Sequence, residues 1–244
     1  MKQLLYISSF AAAAMLFSSC GANVLRGEGK KTTEIPSVDA FNAVDIRITS
    51  DVKVTVTEGS AYGIELNGYA NILKHIRTEV KDSVLYIKYD LDDTWNIDDD
   101  NMNVRISVPS LKALSTSGAP DVDIMGDIKG TSFALDVSGA SSITIQSIHT
   151  ETFTADMSGA SELKVQGGVV KSAKYEISGA GQIEAFDLQT EETETSMSGA
   201  AKSEVNASRK LVADISGAGE VEYKGRPEVI KNISGIGEVT PVDK

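Results

Sequence analysis

The stretch ADMSGASELKV, residues 155–165, contains the pattern that decides the fold. Its central Ser-Gly-Ala recurs along the second half of the chain, and a last copy reads Ser-Gly-Ile. The intervals between successive copies are 21, 20, 20, 20, 18 and 18 residues. A near-constant period of this length is typical of repeat architectures, so the repeat predicts the fold before local propensity does. The residues expected to form one structural corner are Ser117, Gly118, Ser138, Gly139, Ser158, Gly159, Ser178, Gly179, Ser198, Gly199, Ser216, Gly217, Ser234 and Gly235.

Apolar and polar residues alternate on both sides of each Ser-Gly pair. Val137, Met157 and Ile177 stand directly before three successive serines, and an acidic residue precedes each of them. The alternation resumes after the corner, as at Leu163 and Val165. A period of two residues predicts β-strands with one buried face. Because two short strands cannot bury a core alone, successive coils must stack, which predicts an all-β fold of the parallel β-helix or β-solenoid type, with coils of about 20 residues.

The earlier part of the chain lacks Ser-Gly-Ala but keeps a similar rhythm. Its apolar positions Ile46, Leu66, Ile87 and Ile106 are 20, 21 and 19 residues apart. We therefore expect a single β-helical domain over residues 39–244, with divergent coils in 39–108 and regular Ser-Gly-Ala coils in 109–244. Terminal repeats are generally atypical because they cap the stack.

The first twenty residues predict export and lipidation. Lys2 precedes an apolar run from Leu4 to Phe17, which is too short to span a bilayer and matches the core of a signal peptide. Small residues stand directly before Cys20, as in a bacterial lipobox. We expect residues 1–19 to be removed as a lipoprotein signal peptide, Cys20 to carry the lipid anchor and residues 20–38 to form a polar tether. The alternative is an ordinary secretory signal with an incidental cysteine.

Composition argues against several function classes. The 244-residue chain has a formal net charge of −12, whereas nucleic acid binding needs a basic face. Its single cysteine cannot form an internal disulfide, and its two histidines leave little for His-based metal or catalytic sites. We therefore expect no nucleic acid partner, no cofactor and no enzymatic activity.

The repeated serines and the acids near them are the first candidates for chemistry. A catalytic serine needs one base and one oxyanion site, arranged once, so seven equivalent serines predict a structural corner. Two residues before the serine, several repeats carry an acid, which gives either a solvated face or a stack of calcium ligands. These acids are Asp136, Asp156, Glu176 and Asp214.

The acidic stretch 90–100 is the second candidate, for calcium. It holds six aspartates in eleven residues but lacks the spacing of an EF-hand, so a solvated loop is the alternative. Trp95, inside the stretch, either stacks on a sugar or partner or packs over the end of a coil. The calcium-binding candidates are Asp92, Asp93, Asp98 and Asp100.

Several features together resemble the DUF2807 family. They are the lipobox, the opening Phe41-Asn42-Ala43-Val44-Asp45-Ile46, the run from Asn71 to Leu85, and the tandem Ser-Gly-Ala and Ser-Gly-x-Gly motifs. That family is described as a "putative auto-transporter adhesin, head GIN domain" and is common in envelope proteins of Bacteroidetes. The resemblance covers about residues 39–240. It implies a right-handed β-helical, extracytoplasmic domain without known catalytic residues.

These observations predict a non-enzymatic lipoprotein of the cell envelope, held at the outer membrane with its periplasmic or outward orientation left open. Its elongated β-helical surface is expected to serve adhesion or the binding of a protein or glycan. The expected partners are the membrane, through the lipid anchor, an unidentified protein or glycan and, as an option, a second copy of the chain. The alternatives are a polysaccharide-active β-helix enzyme, whose site would pair carboxylates, and a structural or stress-related envelope component.

Overall fold

Strands account for 79% of the structure and helix for 2%. This strand content confirms the all-β prediction. The structure is a computed structural model that describes residues 23–91, 95–98 and 102–242. The described residues up to Val108 form β1 (Asn23–Arg26), β2 (Lys31–Glu34), β3 (Ala43–Glu58), β4 (Gly63–Tyr69), α1 (Ala70–Leu73), β5 (Ile76–Lys81), β6 (Val84–Tyr89), β7 (Trp95–Asp98) and β8 (Met102–Val108). The repeat region forms β9 (Ala113–Gly139), β10 (Ser142–Gly159), β11 (Glu162–Val165), β12 (Gly168–Gly179), β13 (Gln182–Glu184), β14 (Leu188–Lys224) and β15 (Glu228–Pro241).

Parallel pairing organises the repeat region. β10 pairs in parallel with β9 on one side and with β12 on the other, and β12 pairs in parallel with β14. In this register Gly159 lies opposite both Gly139 and Gly179, so equivalent residues of successive repeats are neighbours on adjacent strands. The chain thus returns to the same lateral position after each repeat.

The glycines of successive corners stack on one another. Gly159 has a φ of +100°, which L side chains rarely adopt. A Cβ atom placed on Gly159 would lie 2.3 Å from the carbonyl oxygen of Gly139. Only glycine fits this corner without moving the backbone, which explains why the motif recurs at each turn.

The residues before the corner point inward and form the core. Val137, Met157 and Ile177 lie in register on adjacent strands, and each is at most 3% exposed. In the same repeats, four residues before these positions, the rings of Phe133 and Phe153 stack with centroids 5.8 Å apart. Apolar side chains of neighbouring coils therefore pack in continuous rows, as burial of one strand face requires.

The part of the chain before residue 109 is built differently. β3 pairs in parallel with β6, β8 and β9, in keeping with the expected coils. However, β4 runs antiparallel to both β8 and β2, and β5 runs antiparallel to β6. The expectation that Leu66 marks a parallel coil is wrong, because Leu66 lies in β4 opposite Val104 of β8. The helix α1 contacts β4 and β2 and buries Ile72 and Leu73 at this end.

Candidate functional site

One outward column of polar residues, here called the acidic column, crosses the parallel strands two residues before each corner serine. Asp136, Asp156, Glu176 and Ser196 lie opposite one another in that order on β9, β10, β12 and β14. Further along, Asp214 of β14 lies opposite Asn232 of β15. Because adjacent strands are about 4.8 Å apart, the column places three carboxylates on three successive strands.

The middle carboxylate of the column, Asp156, lies between two others. The pKa of Asp156 is raised above its usual value of 3.8, first by burial and then by the charges of Glu176 and Asp136. Lys174 opposes this shift from the neighbouring strand. Like charges directly opposite each other in a sheet are destabilising. A cationic group placed against the column would relieve this repulsion.

Only part of this column is neutralised by neighbouring side chains. The Nζ atom of Lys174 lies 2.6 Å from a carboxylate oxygen of Glu176 and 3.8 Å from one of Glu194. The side-chain amide of Asn232 donates a hydrogen bond to Asp214 at 2.6 Å. Within the described residues, no basic side chain forms an ion pair with Asp136 or Asp156.

Shallow grooves accompany the acidic column on both sides. One, of about 820 Å³, runs between the column and the corner serines of β12, β14 and β15, with Ile177, Met197 and Ile215 among its lining residues. The other, of about 530 Å³, has the small side chains of Ala43, Ala113 and Ala134 in its lining and reaches β3. Together they make an extended surface with polar edges.

The strand face that follows the corner has a different charge pattern. There, one or two neutral or basic residues separate the acids along the column Asp121, Ser142, Glu162, Gln182, Lys202 and Glu220. In the next outward column, Lys164 lies 2.7 Å from Glu184. Lys202 bridges Glu204 and Glu222 at 3.0 and 2.8 Å, and these contacts raise its pKa. These ion pairs compensate the acids Glu184, Glu204 and Glu222, whereas Asp121, Glu162 and Glu220 form no ion pair among the described residues.

A cluster of Asp127, Ser147 and His149 was not predicted from the sequence. The Ser147 hydroxyl donates to Asp127 at 2.9 Å, and Nδ1 of His149 contacts the same carboxylate oxygen. The hydrogen bond with His149 is the main cause that lowers the pKa of Asp127 to about 2. The Ser147 hydroxyl oxygen also lies 3.4 Å from Nδ1 of His149. In a nucleophile–base–acid relay the serine and the acid engage different ring nitrogens, so this cluster does not have that arrangement.

Asp98 forms an ion pair with Arg26 at 3.1 Å, while Asp92, Asp93 and Asp100 lie outside the described residues. Cys20 also lies outside them. Within residues 23–91, 95–98 and 102–242, no group of three or more His, Cys, Asp or Glu side chains is placed to hold a metal ion. Trp95 is 37% exposed on β7, which pairs with β1.

The sequence model of the family described as "DUF2807: Putative auto-transporter adhesin, head GIN domain" matches residues 40–227. The chain belongs to this family. Its match includes the acidic column up to Asp214 and six of the seven Ser-Gly corners. No curated protein gives a significant sequence match to the chain.

Several solved structures share the fold. A putative adhesin from Bacteroides fragilis is 24% identical, with a TM-score of 0.83 over 89% of this chain and 100% of that one. A putative adhesin from Parabacteroides merdae is 21% identical, with a TM-score of 0.71 over 91% of this chain and 100% of its own. A putative lipid binding protein from Parabacteroides distasonis is 20% identical, with a TM-score of 0.72 over the same shares, 91% and 100%. At these identities the likeness concerns the fold.

Among the described residues, no helix has the length and apolar character that crossing a membrane requires.

Proposed function

We propose that this member of the DUF2807 family is a non-enzymatic adhesion protein whose acidic column binds a partner at the cell envelope. The observation that carries the proposal is the run of Asp136, Asp156 and Glu176 on successive strands, with no ion pair to Asp136 or Asp156 among the described residues. Separating these charges would make the fold more stable, so their clustering indicates a role other than stability. The family description as an adhesin head supports the same function.

The scaffold we propose is a right-handed parallel β-helix. The parallel register between β9, β10, β12 and β14 supports the helical path. Crossover connections between parallel strands are right-handed in about 98% of cases, which supports the hand. Such a scaffold holds the acidic column straight and spaces its members evenly, so it can bind an extended partner along its length.

The partner class that fits best is a protein segment that carries lysine or arginine. Charge-assisted hydrogen bonds to carboxylates are stronger than neutral ones, and electrostatic complementarity also speeds association. A glycan is the second class, because the groove beside the column offers Ser178, Ser198 and Asn232 as hydrogen-bonding groups for sugar hydroxyls.

The location we propose is the outer membrane, through the lipid on Cys20, with residues 20–38 as a tether. The support is the apolar run that ends in Ser-Ser-Cys. Labelling with radioactive fatty acid tests the anchor, since the label should enter the wild type and be absent from Cys20→Ser. Proteolysis of intact cells tests orientation, because a protected protein could not bind partners outside the cell.

Binding by the acidic column is tested with two matched triple variants. One removes three charges of the column, and the control removes three exposed acids of the other strand face. The variants are Asp136→Asn/Asp156→Asn/Glu176→Gln and the control Asp121→Asn/Glu162→Gln/Glu220→Gln.

Both proteins are screened against glycan arrays and envelope protein extracts at low and high salt. We expect the first variant to lose at least about tenfold in affinity, equivalent to about 1.4 kcal/mol, and the control to change little. Binding of the wild type should weaken with salt. Equal losses in both variants, or no wild-type binding to any probe, would contradict the proposal. Release of reducing ends from a polysaccharide would establish the enzymatic alternative instead.

A further inference from the structure

The final coil leaves its strand edge and part of its apolar surface open. β15 pairs with β14, and within the described part of the chain no other strand pairs with it. Three isoleucines lie exposed on this coil: Ile230 at 40%, Ile233 at 39% and Ile236 at 84%. Ile233 occupies the place that the buried Ile215 holds in the preceding coil. Such an edge, with free backbone donors and acceptors beside apolar side chains, is suited to strand addition.

The opposite end of the parallel stack is closed. β4 and β2 extend the sheet beyond β8 in the antiparallel direction, and β5 does the same beyond β6. The helix α1 buries Ile72 and Leu73 there. The open end of one molecule therefore has no equivalent parallel edge to extend at the closed end of another, which disfavours a head-to-tail filament. Association through the open end joins like ends, which is a closed two-fold arrangement.

The open edge is also nearly uncharged on a strongly acidic protein. Between Glu228 and Pro241 there are two acids, Glu228 and Glu238, and one base, Lys231. The whole chain has a net charge of −12, so most other surfaces of two copies repel each other. This edge can approach its own copy at a low electrostatic cost.

We propose that two copies of this chain associate through their β15 strands, antiparallel and with Ser234 opposite Ser234. This register keeps inward positions opposite inward positions, because the side-chain period of a strand is two. It pairs Val229 with Val239 of the second copy. It also places Glu238 opposite Ile230 of the second copy on the outward face, so no like charges lie directly opposite each other across the pair.

The corner of β15 is compatible with a second copy in this register. Gly235 lies opposite Ile233 of the second copy, so each Ile233 side chain, 39% exposed in the single chain, faces a residue that has no side chain. This interface goes beyond the adhesive function proposed for the acidic column and does not depend on it.

Cysteine cross-linking in the full-length, membrane-inserted protein tests this interface. Residues that face themselves in an antiparallel pair have Cα atoms about 4.5–5.5 Å apart, which is within disulfide range. We expect Ser234→Cys to give a disulfide-linked homodimer on mild oxidation. Ser198→Cys, an exposed position of the same serine column in an earlier coil, is the control and should give at least tenfold less dimer.

Two further variants in the Ser234→Cys background test the contacts. Ile236→Asp places a charge in the interface, and Ile230→Glu places a carboxylate directly opposite Glu238 of the second copy. Both should reduce the dimer yield at least fivefold, whereas Val169→Asp, at a 53% exposed position away from β15, should not. Circular dichroism of each purified variant checks that the strands are retained, and Ile230→Glu decides the test if Ile236→Asp is misfolded.

A dimer yield from Ser234→Cys no higher than from Ser198→Cys would overturn the proposal. So would an unchanged yield in a folded Ile230→Glu variant. Disulfide capture of another protein in place of the second copy would also overturn it and would identify the edge as a site for a different partner.

Discussion

The repeat region and the segment before it bury apolar residues through different strand arrangements. From Ala113 to Pro241 the chain repeats one strand–corner–strand unit, with parallel pairing between successive units. Before Val108, parallel strands alternate with antiparallel ones, and a short helix covers one end. The repeat region is regular, but among the described residues the outer edge of its last strand, β15, has no partner strand. The first segment is irregular, and its antiparallel strands and helix cover the other end of the sheet.

The corner residues account for this difference. Each regular coil turns at a glycine with positive φ, and the carbonyl of one glycine lies where the next would carry a side chain. The corresponding position of β3 is Ile48, opposite Gly118 of β9. The column of stacked glycines therefore begins at Gly118. The strands beyond β3 have no such glycine corner, so the corner does not require them to be parallel.

Loss of an aromatic ring from the repeat region should have a large effect. Phe153→Ala removes a ring that stacks on Phe133 and meets Tyr175 edge-on, both with centroids 5.8 Å away. We expect a cost of about 3–5 kcal/mol in the free energy of unfolding, measured by urea denaturation. Phe186→Ala, at a half-buried position, is the control and should cost less. A loss below 1 kcal/mol for Phe153→Ala would mean that the coils do not share one packed core.

Truncation in the covering helix tests the first segment in the same way. Leu73 is 1% exposed, and Leu73→Ala should cost about 2–4 kcal/mol. If the helix closes this end, hydrogen exchange should accelerate in β4 and β2 more than in β12. Val24→Ala, at an exposed position, serves as the control. Uniform acceleration along the whole chain would show that the two regions unfold together and differ only in geometry.

Substitution of an unpaired buried hydroxyl should stabilise the repeat region modestly. Thr195 is fully buried, and its hydroxyl has no hydrogen-bond partner within the described residues. Thr195→Val should therefore raise the free energy of unfolding by about 1 kcal/mol. Thr190 is the matched control, because its hydroxyl contacts that of Thr193 at 2.7 Å and donates to the carbonyl of Asn206 at 2.9 Å. Thr190→Val should destabilise, and the same sign in both variants would refute the assignment.

The smallest expected effect concerns charge in the acidic column. Because the folded-state pKa of Asp156 lies above 3.8, its carboxylate destabilises the fold at neutral pH. That penalty falls as the pH drops through the folded-state pKa and is absent below 3.8. Solvent screening limits it, so Asp156→Asn should add about 0.3 kcal/mol at pH 7 and nothing at pH 3. Asp214→Asn, whose amide oxygen can still accept from Asn232 but without the charge that strengthens that hydrogen bond, should give no gain. Thermal unfolding at both pH values measures the difference.

The sequence predicted the parallel register of the repeats because the interval between corners fixes which residues are neighbours. It predicted the wrong pairing for Leu66, because a spacing of 20 residues does not distinguish a parallel coil from an antiparallel strand. The acidic column was visible as a repeated polar position. The contact between Asp127 and His149 was not visible in the sequence. These two residues are 22 positions apart and do not belong to the repeated pattern, so only the pairing of β9 with β10 shows that they are neighbours.

The stacking of coils through glycine corners is tested most directly by two alanine substitutions. Gly159 and Gly126 both have a φ of +100°, but a Cβ on Gly126 would meet nothing within 4 Å. Gly126→Ala measures the backbone strain alone, about 1–2 kcal/mol, whereas Gly159→Ala adds the clash with Gly139. We expect Gly159→Ala to cost at least about 2 kcal/mol more in the free energy of unfolding, or to prevent folding. Equal costs for the two substitutions would contradict the stacked-corner account.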